Sequence, residues 1–500
     1  MWRWSPLLLS ACVGLPDPGD DVADDEDSDQ EYVDVVVIGA GVAGLAAAGD
    51  AITAGADVVV LEREAEAGGA ANVAGGLMLF SGTPEQRAAG VLDSPAQLAA
   101  EWPGFTGGDV EDPWFQFFAA QNIPMVYDYL ASLGVSWLAP ERDASSGDTP
   151  RVQPVDGNGA ALISALLEAL LDPELDPGLD AGPGEASVRY GARADELLIE
   201  DGRVAGVRWS DDEGAHILRA GATIVATGGF LRDLDRVRAA VPGLGDAPLS
   251  FASWFGADGN GLTMLEDIGA TTQNLGAVGF YAHGFAAPVA GVDEVVSSII
   301  GESPWVNANA LRFCDESGVN SFAVGRTRAL QPAGLAWMVA DQRIEDAIFA
   351  DPWADGAVYS LPDMEAAGGV TRADSLAGLA DALGVDGDSF SATIADYNAA
   401  SGTSDPWRSA PGIPVVEPPF YALPVAISVA KAFGGVDVDL QGRVLDSAGN
   451  VLPGVYAAGE LTGMLGGSIV GEYGFTGSLT AVVLGGRVAG QYAAAEALSR

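Results

Sequence analysis

The most specific chemistry in the chain is carried by six consecutive residues, Gly39-Ala40-Gly41-Val42-Ala43-Gly44. Gly39 permits a tight turn, Gly41 lets the backbone approach a pyrophosphate, and Gly44 lets a helix pack closely on a strand. A helix starting there aims its N-terminal N–H groups at phosphate oxygens. Glu62, eighteen residues past Gly44, ends a second apolar run, where a carboxylate can accept both hydroxyls of an adenosine ribose. This is the pattern of a dinucleotide site, and it does not by itself separate a nicotinamide from a flavin nucleotide. Other reactive side chains are few: two histidines (His216 and His283), one lysine (Lys431) and two cysteines (Cys12 and Cys314). The cysteines lie too far apart in sequence for a disulfide framework or a cysteine zinc site, so no metal is expected.

The elements that must hold these residues follow from the pattern around them. Residues 33–38 form a nearly continuous β-branched run, read as a buried parallel strand, followed by the glycine turn, an alanine-rich helix and a second strand at 57–61. A length of 500 residues allows about three domains' worth of chain, or one large domain with an insertion. At 48% hydrophobic and 19% charged the bulk of it is globular. A formal charge of −47 repels phosphate backbones and anionic lipid, which excludes nucleic acid as a partner. Residues 1–12 hold Arg3, a short apolar run and Leu9-Ser10-Ala11-Cys12, which resembles the lipobox of bacterial lipoproteins. The resemblance implies an acylated Cys12 and an extracytoplasmic, membrane-anchored protein, with a cytoplasmic location as the alternative. Residues 13–31 are an acidic tether, and 172–185 (DPELDPGLDAGPGE) a surface insertion. Past residue 32 no apolar run is long enough to span a bilayer.

Downstream motifs name the cofactor. Glu62-Arg63 is followed by Gly68-Gly69-Ala70-Ala71-Asn72-Val73-Ala74-Gly75-Gly76, then VDGNGAAL at 155–162, the segment 191–196 with Ala194, Ala226-Thr227-Gly228-Gly229 and Asp258-Gly259-Asn260-Gly261. Arg312-Phe313, Phe420-Tyr421-Ala422, Phe433-Gly434-Gly435, Ala458-Gly459-Glu460 and Gly477-Ser478-Leu479 complete the order. In these motifs, from residue 32 to 495, the chain resembles the FAD-dependent oxidoreductases that include fumarate reductase and succinate dehydrogenase flavoproteins and 3-ketosteroid dehydrogenases. The resemblance implies an α/β fold: a Rossmann-like FAD-binding domain of glutathione-reductase type (residues 32–282 and 426–500) with an inserted α+β capping domain for substrate (283–425). It implies FAD contacts from Gly39, Gly41, Ala43, Gly44, Glu62, Arg63, Gly69, Ala70, Ala71, Gly75, Gly76, Ala194, Ala226, Thr227, Gly228, Asn260, Gly459, Glu460, Ser478 and Leu479. No histidine lies between residues 68 and 80, so the FAD is expected to be noncovalent.

In such enzymes hydride moves between the flavin and a carbon β to a carbonyl or carboxylate, while a side chain handles the proton at the α carbon. Eight residues after Arg312, where the reductases carry a proton-delivering arginine and the ketosteroid dehydrogenases a tyrosine, this chain has Asn320, which cannot cycle a proton; Arg326 or Arg328 could fill the space from a shifted loop. Tyr473 and Gly477 match the phenol and backbone N–H that face a substrate keto oxygen in ketosteroid dehydrogenases, or Tyr473 is a packed aromatic. His283 falls near the reductases' substrate histidine, and Lys431 takes the slot of another, where an ammonium would pair with an anion. The expectation is an oxidoreductase acting on a CH–CH bond beside a carbonyl, with a ketone-like small molecule as substrate. A fumarate-reductase-like carboxylate reductase and a degenerate FAD-binding electron carrier or scaffold lipoprotein are the alternatives. Without a CxxCH motif, electrons must be exchanged with a separate, unidentified partner.

Overall fold

The computed structural model describes residues 31–172, 184–282, 303–318, 321–344, 368–401 and 407–500, with residues 365–366 and 405 and the backbone of 285–286 and 295–296. The lipobox, the tether to residue 30, nearly all of the 172–185 insertion, His283 and Asn320 lie outside the described residues.

The β-branched run becomes β1 (Glu31–Ile38), flanked in parallel by β2 (Val58–Leu61) and β7 (Gly214–Val225), with Val37 opposite both Val60 and Ile224. Val35, Val36 and Val37 are fully buried, which is why the strand reads as a continuous apolar run rather than an alternating one. The strand order is β14-β15-β7-β1-β2-β4, where β4 is Ala186–Arg189, β14 Arg443–Leu445 and β15 Val451–Ala457. Strands β5 (Arg193–Glu200) and β6 (Arg203–Asp211) form an antiparallel meander onto β7. Four of the five parallel strands, β1, β2, β7 and β15, therefore bring segments singled out in the sequence to one edge. Their next residues are Gly39, Glu62, Ala226 and Ala458, so four of the segments singled out in the sequence converge because strand direction sends them there.

One face of the sheet carries α1 (Val42–Thr53) and the C-terminal α6 (Leu479–Leu498). These helices meet through small residues: a Cβ at Gly486 would lie 2.3 Å from the Ala43 carbonyl oxygen, and one at Gly490 2.1 Å from that of Ala47. Arg487 locks the pair, its guanidinium 3.0 Å from buried Asp50 and 3.8 Å above the ring of Tyr129. Helix α2 (Asn158–Leu171) packs behind α1.

Between 305 and 424 the chain builds a separate antiparallel sheet, β9-β10-β12-β11 (Trp305–Asn307, Ala336–Asp341, Phe420–Pro424, Thr371–Ala373). Helices α4 (Leu376–Leu383) and α5 (Gly387–Ala400) bury Leu379, Phe390, Ile394 and Tyr397 against Val306, Trp337 and Val339. Helix α3 (Phe322–Ala329) lies between this sheet and a smaller one, in which β8 (Val278–Tyr281) pairs with β13 (Ser428–Ala432).

Candidate functional site

A long groove runs along the strand edge. At one end Glu62 is held by two backbone donors: Ala40 N–H to Oε2 at 2.8 Å and Glu64 N–H to Oε1 at 2.9 Å. The glycine turn thus aims the carboxylate, leaving its other lone pairs for a diol. Arg63 spans to the far wall, donating to Asp258 at 2.5 Å and to the Gly256 carbonyl at 2.9 Å, and Asn260 Nδ2 donates to the Ala194 carbonyl at 3.2 Å. Two residues sixty-six positions apart are joined here by one hydrogen bond.

The middle of the groove is bare backbone. A Cβ at Gly41 would meet protein only at 4.0 Å, and those at Gly69 and Gly228 would meet none within 4 Å, so these α carbons face the groove itself. Helices α1 and α6 both begin at it, with N-caps Gly41 and Ser478, and neither receives a side-chain cap. Their unpaired N–H groups and positive dipole ends suit an anion. Closely approachable backbone, two helix N-termini and a carboxylate at the correct end together fit an extended dinucleotide diphosphate. Eighteen of the twenty residues expected to touch it line the groove. The exceptions are Gly44 and Gly76. A Cβ at Gly44 would lie 1.8 Å from the Gly39 carbonyl oxygen, which is the helix–strand packing role; at Gly76 (φ +68°), on the start of α2, a Cβ would lie 2.6 Å from the Asn158 carbonyl carbon.

The opposite end is lined by Tyr281, Ala430, Lys431, Glu460, Met464, Ser478 and Leu479. Lys431 faces Gly279 across the β8–β13 pair, and the absent side chain leaves space for the Phe322 and Phe433 rings. Its ammonium lies 5.6 Å from the centroid of Phe322, which is stacked on Tyr281 at 4.7 Å. Burial lowers the Lys431 ammonium to about 8, with the Asp143 and Glu460 carboxylates pulling the other way. Burial also raises the Glu460 carboxyl, whose Oε1 accepts from Ala432 N–H at 2.8 Å, and the Tyr281 phenol. Ser145 stitches this end together: its Oγ accepts from Phe322 N–H and its carbonyl from Thr476 N–H, both at 3.0 Å.

The structure redistributes the expected catalytic set. Tyr473 and Gly477 stand outside the lining. Tyr473 N–H donates to the Thr106 carbonyl with its ring edge beside Gly107, and Gly477 is pressed on β3 (Leu77–Leu79), where its carbonyl accepts from Leu79 N–H at 3.0 Å. Arg326 donates to the Gly276 carbonyl, and Arg328 is buried on the carbonyls of Val425 and Gly334, and neither lines the groove. His216 stacks on Trp209 at 4.3 Å in the peripheral β6–β7 hairpin. Tyr281 and Trp254 line the groove without having been singled out. Each reads in sequence as an ordinary strand or loop aromatic, and no local signal marks them.

With this geometry in view, a family profile described as "FAD binding domain" matches residues 34–472. The chain is similar to a fumarate reductase (cytochrome) of Shewanella frigidimarina, 28% identical over 478 residues that span 93% of this chain and 77% of that protein. It is also similar to a KsdD-like steroid dehydrogenase of Mycolicibacterium smegmatis, 28% identical over 542 residues, 89% of this chain and 95% of the other. Among solved structures, a 3-ketosteroid-Δ4-(5α)-dehydrogenase of Rhodococcus jostii RHA1 in complex with 4-androstene-3,17-dione superposes with TM-score 0.71 at 25% identity, covering 94% and 98% of the two chains.

Proposed function

The chain belongs to the FAD-binding-domain family, and from that premise we propose that it is an FAD-dependent oxidoreductase acting on a CH–CH bond next to a carbonyl group. When bound, FAD supplies hydride exchange at its ring. Glu62 would hold the adenosine ribose. The Gly39–Gly41 turn and the N-terminus of α1 would hold the diphosphate, and Ser478 and Leu479 at the start of α6 the ring end.

The observation that carries the substrate reading is the makeup of that end. Among the described lining residues near Lys431 there is one ammonium, one phenol and the Glu460 carboxyl and no guanidinium, with Ala430, Met464 and Leu479 as the apolar lining. One electron-rich oxygen on an otherwise apolar body matches this better than a dicarboxylate, which needs a cation for each end. An apolar α,β-unsaturated ketone, or its saturated partner, is therefore the first reading. An unsaturated monocarboxylate is the second, favoured by the Lys431 charge. Protein reduced with dithionite and mixed anaerobically with enones and enoates is expected to reoxidise with enones. Reoxidation by dicarboxylates alone refutes the ketone reading, and reoxidation by neither class leaves an FAD-binding electron carrier or scaffold.

For location we propose the lipid anchor at Cys12, supported by the acidic stretch that separates it from the folded chain. Cys12→Ser is expected to move the protein from the membrane to the soluble fraction of its own cell, and unchanged fractionation refutes the anchor.

A further inference from the structure

Every cation in this protein is an arginine except one. Of 23 lysines and arginines, Lys431 is the sole lysine, and it stands in the lining of the reactive end of the groove. Lysine loses its proton far more readily than arginine when it is taken out of water. A group required only to be positive there could have been an arginine, as at each other cationic position of the chain. The side chain present is the one that gives and takes a proton more readily.

Its surroundings favour the same role. Among the described residues no hydrogen bond or ion pair holds the ammonium, and its near neighbour is the face of Phe322. The titratable groups around it are Tyr281 on β8, Glu460 after β15 and Asp143 on the loop that Ser145 ties down; helix α3 meets it with Phe322. Glu460 is committed to the Ala432 amide and packed on Gly229, where a Cβ would lie 2.8 Å from its carboxyl. Arg326 and Arg328 are committed to backbone carbonyls elsewhere.

We propose that Lys431 is the catalytic residue that exchanges the substrate's proton. In the reducing direction an Nζ–H bond breaks and a C–H bond forms at the carbon α to the carbonyl, while the β carbon takes hydride from reduced FAD. The substrate gains two electrons and two hydrogens, FAD is left oxidised, and the neutral amine regains its proton from water. In the oxidising direction the amine removes that proton. This inference rests on the function proposed above and moves proton transfer from the position of Asn320 to β13.

The sole lysine makes the test direct. Holoprotein grown with 13Cε-labelled lysine gives one side-chain signal, expected to titrate near pH 8 rather than at 10.5. Lys431→Met removes the exchangeable proton at nearly the same length, and turnover is expected to fall about 10²-fold or more. FAD affinity and the flavin spectral shift produced by a saturated ketone should change less than about threefold. The wild-type rate of enone reduction should fall as pH rises through 8, as the acid is lost, and alkylamines should restore rate to Lys431→Ala. Turnover of Lys431→Met within about threefold of wild type, or a titration near 10.5, overturns the proposal while leaving the function standing. Wild-type protein that turns over neither enones nor enoates overturns the function, and this proposal with it, whereas the NMR titration still reads the lysine independently.

Discussion

Glu62 illustrates how one side chain can serve fold and ligand at once. Its carboxylate accepts from Ala40 N–H within the glycine turn, so removing it frees that turn as well as the ribose site. Glu62→Ala is expected to weaken FAD binding by about 10- to 100-fold, the value of a charged hydrogen bond or two, measured by fluorescence titration. Glu62→Gln should lie between, since its amide oxygen can still accept from one of the two amides. Gly41→Val should abolish the yellow holoprotein, because its side chain would enter the space where no protein atom lies closer than 4.0 Å. Tyr473 outside the lining gives a further contrast. Tyr473→Phe is expected to keep turnover within about threefold, and Tyr281→Phe to lower it about tenfold or more. A large loss from Tyr473→Phe would return its phenol to the substrate.

Among the elements, α6 carries the most consequence, because its N-terminus is placed by how closely its body approaches α1. Gly490→Leu has no room, with a Cβ already 2.1 Å from the Ala47 carbonyl. It should displace the helix, lowering the melting temperature and FAD affinity together. If the melting temperature alone falls, the helix start is positioned by its loop instead. The α3 end is held by Ser145, which is 2% exposed. Ser145→Ala leaves the buried Phe322 N–H without its partner at a cost of about 1–3 kcal/mol. Faster proteolysis within 305–424 with the FAD spectrum unchanged is the expected result, and equal protease resistance would deny Ser145 that role. Both contacts join residues more than a hundred positions apart, and neither has a local signature beyond a glycine or a serine.

At the scale of the molecule the charge of −47 favours expansion, so salt should stabilise: the melting temperature is expected to rise from low to molar NaCl, and a salt-independent value would mean that the carboxylates are already neutralised. Specific pairs act against that trend in acid. Burial raises the Glu101 carboxyl, but Arg151, with buried Asp93 beside it, outweighs that and holds it down at about 2 against an ordinary 4.5. That stabilisation is complete above pH 4.5 and lost as pH falls toward 2, so Glu101→Gln should flatten the fall in melting temperature over this range. What the sequence by itself determined is the first strand–turn–helix–strand unit and the identity of the cofactor. There the chemistry is written in neighbouring residues: glycines at fixed offsets, a β-branched run, an acid at a strand end. At the opposite end of the groove Lys431, Glu460 and Ser478 were legible from their motifs, but their company was decided by tertiary structure. Tyr281 and Phe322 look like ordinary strand and helix aromatics until a sheet edge and helix α3 bring them beside Lys431. Whether a lysine sits in water or against a phenylalanine face determines its proton affinity, and that is a property of the packed interior rather than of the residues beside it in the chain.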